Sequence, residues 1–498
     1  MKKEGLVLKI FARDADTLSG RHVAIAVFML MLLAYIWIGF IPLNNGSGWD
    51  GNDYLGYVKL LAAGEPIVGD PYRSVRLSGF LQLIPFVWGG AGTATLVLVQ
   101  LVFNIGMMAV GVGSLFSCLR ALGVDSRKAG FSVALLMFSW AGLVMPVFYP
   151  VLSDNLALPL CCMAMWCWVK QKSVCLYMLC GWFVWLFPGL FLVPLGLIAF
   201  PYERDKKIQE IDIKDRFKIR LFAFFSVIGL LLYCYWMRKI TIVKVATYMA
   251  SGGSTGIASL VPFSIAIQAL TIVILAWAGA SFLCSPKLHR SLSIRGLVLC
   301  ICTIAASYLA MKLVINFSAG FKGPPLIKNL MLQAVGAPFK PWVSHFLYFG
   351  LVVPLVAAQC IRWCFRGDTN MPVGLLFIVI SFLPFLCFGS ESRQWIGVLP
   401  ACVVIYALTE NTRRQQVFLV LASIASLFTM FGIQANIATA VQNELGFQSS
   451  EWQYYFGRQG PWMSVDVYKF GLIALVGVAA VYLGLGVSKD KIVGKSQS

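Results

Sequence analysis

The sequence predicts an all-α polytopic membrane protein of about 12 transmembrane helices plus one re-entrant hairpin. Of the 498 residues, 59% are hydrophobic and only 12% are charged, whereas a soluble protein carries about 25% charged residues. The apolar residues also form long runs, and a bilayer crossing requires about 20 of them. A large soluble enzyme is therefore excluded.

The apolar runs place the predicted spans. The hairpin is expected at 176–200, where Pro188 and Pro194 interrupt an apolar run with basic residues on both flanks, so two half-helices would return to the same side. The spans themselves are expected near 22–42, 93–118, 130–150, 156–169, 221–237, 260–283, 296–317, 343–362, 371–388, 395–409, 417–435 and 467–487.

The net charge of +19 follows this topology, because Lys and Arg concentrate in the loops on the side of the N-terminus. Both termini are then cytoplasmic, we expect the bacterial inner membrane, and nucleic acid is not an expected partner. The organisation is a leader (1–21), a transmembrane domain (22–487) and a tail (488–498). Within the domain lie a first outer loop (43–92), a cytoplasmic loop (201–220) and a last outer loop (435–466).

Cysteine and histidine usage limits the possible chemistry. The 14 cysteines lie in the predicted spans, in the hairpin or at their ends, which argues against a disulfide framework. The three histidines form no HExxH motif, and a zinc site is not expected. No cofactor is indicated with certainty, although two carboxylates leave a weak divalent metal site possible.

The densest polar group follows the first predicted span. Asp50 and Asp53 lie there, at or beside a predicted helix start. Either carboxylate could cap the helix, since Asp is a favoured N-cap residue. One helix start needs only one cap, so at least one of the two remains available for chemistry.

Two short stretches carry a resemblance to a known family. Trp49-Asp50, Tyr54, Gly64 and the run 71–73 (Pro-Tyr-Arg) form the first, and Glu391, Arg393, Trp395 and Leu399-Pro400 form the second. Together they resemble the GT-C superfamily of polyprenyl-phosphate-sugar-dependent glycosyltransferases, which includes the mannosyltransferases of GPI assembly and related bacterial membrane enzymes. The acidic pair here has two intervening residues where the family pattern has one.

The resemblance implies a GT-C-like fold and transfer of a sugar, with inversion, from a polyprenyl phosphate to an acceptor hydroxyl at the outer face. The acceptor would be a glycan, a lipid or a protein. One carboxylate as general base is enough, because phosphate is a weakly basic leaving group. Asp50 is the expected base, with Asp53 as the alternative. For the donor phosphate we expect Arg73, Arg76, Arg393 and Lys312, and for acceptor binding or a secondary role Asp154, Glu391 and Trp452.

Simpler explanations stand beside several of these roles. Asp154 could be a helix N-cap, and Lys312 could extend to the membrane surface from its span. The aromatic residues of 442–463, Trp452 among them, could form an interfacial belt with the membrane lipids.

Two other classes of function also stay open. A lipid-linked oligosaccharide flippase, or another secondary transporter, shares the expected topology but should carry charges deep within its spans. A polysaccharide polymerase or ligase would favour large outer loops late in the chain rather than an acidic cluster after the first span.

Overall fold

The computed structural model describes residues 18–69, 71–187, 189–202, 215–238, 245, 256–317, 326–366 and 370–487. The predicted leader up to residue 17, the predicted tail and most of the predicted cytoplasmic loop (203–214) lie outside the described residues. Pro188, in the predicted hairpin, also lies outside them.

The described part is a multi-pass bundle of apolar helices with two three-residue strands, β1 (Ile67–Gly69) and β2 (Ile315–Phe317). Its helices are α1 Gly20–Ile38, α2 Asp50–Ala62, α3 Pro71–Ser74, α4 Ile84–Trp88, α5 Thr93–Ala121, α6 Ser126–Met137, α7 Met145–Phe148, α8 Asp154–Val169, α9 Ser173–Leu186, α10 Leu192–Ala199, α11 Asp215–Met237, α12 Val261–Leu283, α13 Pro286–Ser291, α14 Ile294–Val314, α15 Leu326–Val335, α16 Lys340–Phe349, α17 Val352–Arg366, α18 Val373–Phe388, α19 Val398–Leu408, α20 Arg413–Ser426, α21 Ile433–Gln442, α22 Ser450–Phe456 and α23 Val465–Val487.

The structure does not confirm about 12 spans. Among the described residues, seven helices are long and apolar enough to cross a membrane, and a further bent pair makes eight if it counts as one span. The bent pair is the predicted span 130–150, which turns by 73° between Ser126–Met137 and Trp140–Phe148. The predicted span 343–362 is likewise divided, because Gly350 has φ +79 and separates α16 from α17.

The core forms where helices approach closely. α5 packs against both α1 and α8. A Cβ at Gly113 of α5 would lie 2.5 Å from the carbonyl oxygen of Gly20, and a Cβ at Gly111 would lie 2.6 Å from Pro159 of α8. Glycine at these positions therefore allows the backbone contact that small residues provide between membrane helices.

The segment expected to be a hairpin consists of α9 and α10, and both of its ends lie at the same end of α8. Trp168 donates to the carbonyl oxygen of Phe200 at 2.9 Å, and Gln171 donates to that of Tyr202 at 3.3 Å. Between the two helices, the Phe187 ring lies 4.0 Å from the Arg76 guanidinium of the first loop. The segment thus extends from one end of α8 to the first loop and returns.

The first loop (43–92) is joined to α14 by a small parallel sheet. Ile67 of β1 is in register with Ile315 of β2, and β2 follows α14 directly. This pairing fixes the chain immediately before α3, which carries Arg73.

Candidate active site

Asp50 is the first residue of α2, and its carboxylate does not cap that helix. The N-cap residue is Trp49, with no side-chain cap bond, and the Gly51 amide donates to the Tyr149 hydroxyl at 3.2 Å. Tyr149 reaches this position because Gly48, with φ +68, has no Cβ, which would lie 2.3 Å from the tyrosine ring. The Asp50 carboxylate is left free to face other groups.

Two arginines from distant parts of the chain hold that carboxylate. Arg73 donates to Oδ1 of Asp50 from Nη2 at 2.9 Å and from Nε at 3.1 Å. Arg393 approaches Oδ2 with both terminal nitrogens at 3.4 Å. Asp53, the other carboxylate of the pair, lies 3.3 Å from Arg73 and is 46% exposed. The structure therefore separates a half-buried, doubly contacted Asp50 from an exposed Asp53.

Arg393 is shared among three carboxylates. It lies on the single 3₁₀ turn Ser392–Trp395 between α18 and α19. Besides Asp50, it contacts Glu391 at 2.7 Å and Asp154 at 3.8 Å. Its own side chain is 11% exposed, so these charge pairs act in a medium of lower dielectric than water.

Asp154 is the most buried acid of the group. Its side chain is 3% exposed, and neither carboxylate oxygen accepts a hydrogen bond from the described residues. It begins α8 after Ser153, which provides no side-chain cap bond. Its carboxylate is thus turned toward Arg393 and away from the amides of its own helix start.

The electrostatics of Asp50 combine two opposing effects. Burial raises the pKa of the Asp50 carboxyl, while the positive charges of Arg393 and Arg73 lower it more. The net pKa lies below the ordinary value of 3.8. Asp50 is therefore ionised at neutral pH in this arrangement.

An aromatic cluster (Trp49, Tyr149, Phe447, Trp452, Tyr455 and Phe456) packs behind the acidic pair. The Trp49 ring lies 5.4 Å from that of Trp452 and 5.8 Å from that of Tyr455. Trp452 is 4% exposed, and its indole nitrogen donates to the Leu445 carbonyl oxygen at 2.8 Å. Instead of forming an interfacial belt, these rings join the last loop (435–466) to the start of α2.

The other two predicted phosphate ligands differ in their relation to this group. Arg76 is 4% exposed and stacks on the Phe187 ring, and its positive charge acts on the carboxylates of both Asp50 and Asp154. Lys312 is exposed near the end of α14, with its ammonium 4.9 Å from the Tyr308 ring centroid. In the described residues, the structure brings Asp50, Asp53, Asp154, Glu391, Arg73 and Arg393 together, and the charge of Arg76 acts on this group. Lys312 and Trp452 lie outside the charge pairs.

Sequence reasoning missed three polar residues that support the site. They are Tyr149, Ser392 and His345, and His345 bonds to the Ser392 hydroxyl at 2.8 Å. The only available signal was local, since Tyr149 precedes the turn that leads to Asp154, and Ser392 precedes Arg393.

No group of three or more His, Cys, Asp or Glu side chains placed to hold a metal ion occurs in the part of the chain that the structure describes. Asp50 and Glu391 are each paired with Arg393.

No family model matches the chain, no characterised protein is similar to it in sequence, and no solved structure matches its fold. Its function must therefore be inferred from the chemistry of the site.

Proposed function

We propose that this protein is an integral-membrane glycosyltransferase of GT-C type, placed in the bacterial inner membrane with both termini cytoplasmic. It transfers a hexose from a polyprenyl-phosphate donor to an acceptor hydroxyl at the outer face, with inversion. The observation that carries this proposal is the Asp50 carboxylate held between Arg73 and Arg393. A proton acceptor and two phosphate ligands are thereby available in one place.

The reaction needs few groups. The acceptor oxygen forms a bond to the anomeric carbon while the bond from that carbon to the phosphate oxygen breaks. The electron pair leaves with the polyprenyl phosphate, and the acceptor proton passes to a carboxylate. Guanidinium groups stabilise the charge that develops on the phosphate, so Arg73 and Arg393 fit the leaving-group side and Asp50 fits the acceptor side.

The two oxygens of Asp50 differ in their capacity to take a proton. Oδ1 accepts two short hydrogen bonds from Arg73. Among the described residues, Oδ2 has only the 3.4 Å contacts from Arg393, which are longer than the roughly 2.7–2.9 Å of a strong charge-assisted bond. Oδ2 is therefore the oxygen better suited to receive the proton.

Donor binding would make Asp50 a stronger base. A phosphate offers the two arginines a ligand of matching fork geometry and equal or greater negative charge. When a guanidinium turns from Asp50 to phosphate, the carboxylate loses a positive neighbour, and its pKa rises. The low pKa of Asp50 beside its two arginines is thus compatible with proton transfer once the donor phosphate has drawn a guanidinium away.

The test is consumption of radiolabelled polyprenyl-phosphate sugars in membranes that hold matched amounts of wild type, Asp50→Asn and Asp53→Asn. We expect Asp50→Asn to retain donor binding and to lose turnover by at least about 100-fold, the usual contribution of a general base. Asp53→Asn is the matched control one helical turn away, and we expect it to stay within about tenfold of wild type, since its exposed contact is weak.

Two outcomes would contradict the proposal. If wild type consumes no donor, the glycosyltransferase assignment fails, and transport of a lipid-linked glycan becomes the hypothesis to test. If the donor is consumed equally by wild type and Asp50→Asn, the enzyme class stands, but Asp50 is not the base.

A further inference from the structure

A hydrogen-bonded network outside the charge pairs fixes the turn that carries Arg393. Two neighbouring residues of α16, Ser344 and His345, meet this turn. His345 is fully buried, with Nδ1 2.8 Å from the Ser392 hydroxyl and Nε2 3.0 Å from the Leu386 carbonyl oxygen. The imidazole therefore connects the end of α18 with the residue before Arg393.

The chemistry of the partners assigns the protons. A carbonyl oxygen only accepts, so Nε2 of His345 carries a hydrogen and donates to Leu386. In the neutral ring Nδ1 is then an acceptor, and the Ser392 hydroxyl donates to it. The direction of this bond leaves the Ser392 oxygen free to accept.

Ser344 extends the network to the last loop. Its hydroxyl donates to the Ser390 carbonyl oxygen at 2.6 Å and accepts from the Gly460 amide at 3.1 Å. It also lies 2.9 Å from the Ser392 hydroxyl. A Cβ at Gly460 would lie 2.2 Å from the Ser390 Cβ, so only glycine permits this approach.

The turn is held from another side by α15. The side-chain oxygen of Gln333 accepts from both the amide and the hydroxyl of Ser390 at 3.2 Å. Ser390 and Ser392, the residues on either side of Glu391, are therefore each tied to another segment. Their backbone sets where the Glu391 and Arg393 side chains begin.

We propose that Ser344 and His345 are positioning residues that hold Arg393 through Ser392 and thereby set the affinity for the donor phosphate. This inference rests on the proposed function for its ligand and on the geometry alone for its mechanical part. Groups that bind a reacting phosphate must be held within about 0.5 Å of the productive geometry, which requires a supporting shell of locked side chains.

The experiment is a double-mutant cycle on the full-length protein in detergent. Ser392→Ala removes one hydroxyl and its bond to His345, and it is made in wild type and in Arg393→Lys. Ser344→Ala is the second variant. Ser132→Ala is the matched control, because the one hydrogen bond of its buried hydroxyl within the described part of the chain goes to the Lys128 carbonyl oxygen, one turn back in α6. Binding of a radiolabelled polyprenyl-phosphate sugar to each variant is measured at equilibrium. The thermal unfolding of each variant is measured in the same detergent.

We expect Ser392→Ala to weaken donor binding by about fivefold, as for one lost hydrogen bond, and Ser132→Ala to leave it unchanged. In Arg393→Lys the same substitution should have little further effect, because two changes that act through one group are not additive. The positioning role would be overturned if the losses of donor affinity caused by Ser392→Ala and Arg393→Lys were fully additive. It would also be overturned if Ser132→Ala weakened donor binding as much as Ser392→Ala does.

The thermal measurement separates this inference from the proposed function. If wild type binds no donor, the proposed function fails, and the same cycle is evaluated by unfolding. Coupling between the changes at 392 and 393 would then support positioning of Arg393 for an unidentified ligand, while its absence would overturn it.

Discussion

Arg73 and Arg393 contact the same carboxylate from very different settings. Arg73 lies on the four-residue helix α3, is 31% exposed, and makes the shorter contact with Asp50, 2.9 Å. Arg393 is 11% exposed and approaches Asp50 only to 3.4 Å. Arg393, however, also contacts Glu391 and Asp154, and the residues that lead into its turn, Ser390 and Ser392, are bonded to α15, α16 and the last loop.

The difference shows that the shorter ion pair need not be the stronger anchor. The Arg73–Asp50 pair is partly exposed on the arginine side, and a pair that water can screen adds only about 1 kcal/mol or less to stability. A buried charge whose partner is removed is costly, because it stays in a medium of low dielectric. Arg393 is therefore the buried cation at the centre of the charge pairs, and Arg73 is the more solvent-accessible cation at their edge.

The largest effect should come from Arg393→Ala. It leaves the carboxylates of Glu391 and Asp154 without the guanidinium that they share, and we expect a loss of about 3–5 kcal/mol in the free energy of unfolding. Chemical unfolding in detergent measures this. A loss below about 1 kcal/mol would remove the distinction between the two arginines.

Arg73→Ala should act on the ligand more than on the fold. We expect the free energy of unfolding to change by less than about 1 kcal/mol. Donor affinity should fall about tenfold, which corresponds to ~1.4 kcal/mol. Equilibrium binding and unfolding of one preparation would measure both. If Arg73→Ala lowered the free energy of unfolding as much as Arg393→Ala does, Arg73 would not be a mainly ligand-binding, solvent-accessible cation.

The acid sensitivity of the Asp50 pairs has a defined sign. The arginines hold the pKa of Asp50 below its ordinary value, so the stabilisation is present above that value and is lost as the pH falls through the lowered pKa. Melting temperatures of wild type and Asp50→Asn should differ by a constant amount above about pH 7. Below that, Asp154, whose pKa burial raises to about 6, also takes up a proton, and the Asp50 contribution itself should shrink only as the pH falls below the ordinary value of 3.8. If the two melting temperatures already converged near neutral pH, the effect of burial on the Asp50 pKa would outweigh that of the arginine charges.

The smallest effect should come from Lys312→Ala. The ammonium of Lys312 lies over Tyr308, apart from the charge pairs of Asp50, and we expect donor affinity to stay within about twofold of wild type. A loss as large as that of Arg73→Ala would mean that a third cation binds the phosphate. Arg73 and Arg393 would then no longer be the principal pair.

The helical membrane architecture could be predicted from the sequence, and the structure does not confirm the predicted number of crossings. α19 is apolar because residues 398–407 are buried in the protein. At about 1.5 Å per residue, its 11 residues are too short for a hydrocarbon core of about 30 Å. An apolar run has the same composition whether protein or lipid surrounds it. Only its length, and breaks such as Gly350, distinguish a helix buried in the protein from one that crosses the bilayer.

The composition of the candidate site could be predicted better than its geometry. Asp50, Arg73 and Arg393 were singled out from local patterns, and the structure brings them together. The sharing of Arg393 among three carboxylates depends on the packing of α2, α8 and the turn before α19, which no local pattern contains. The same limit applies to Ser344 and His345, whose partners lie more than 40 residues away.

The separation of Asp50 and Arg393 by 343 residues has a consequence for biosynthesis. At about 5–20 residues per second, the ribosome adds Arg393 roughly 17–70 s after Asp50. During that interval Asp50 and Asp154 lack a partner that the finished protein provides, so the nascent chain must keep them hydrated. The charge cluster is completed only when the turn that carries Arg393 has been synthesised, so a chain that is stopped before this point lacks the cation that its three carboxylates share.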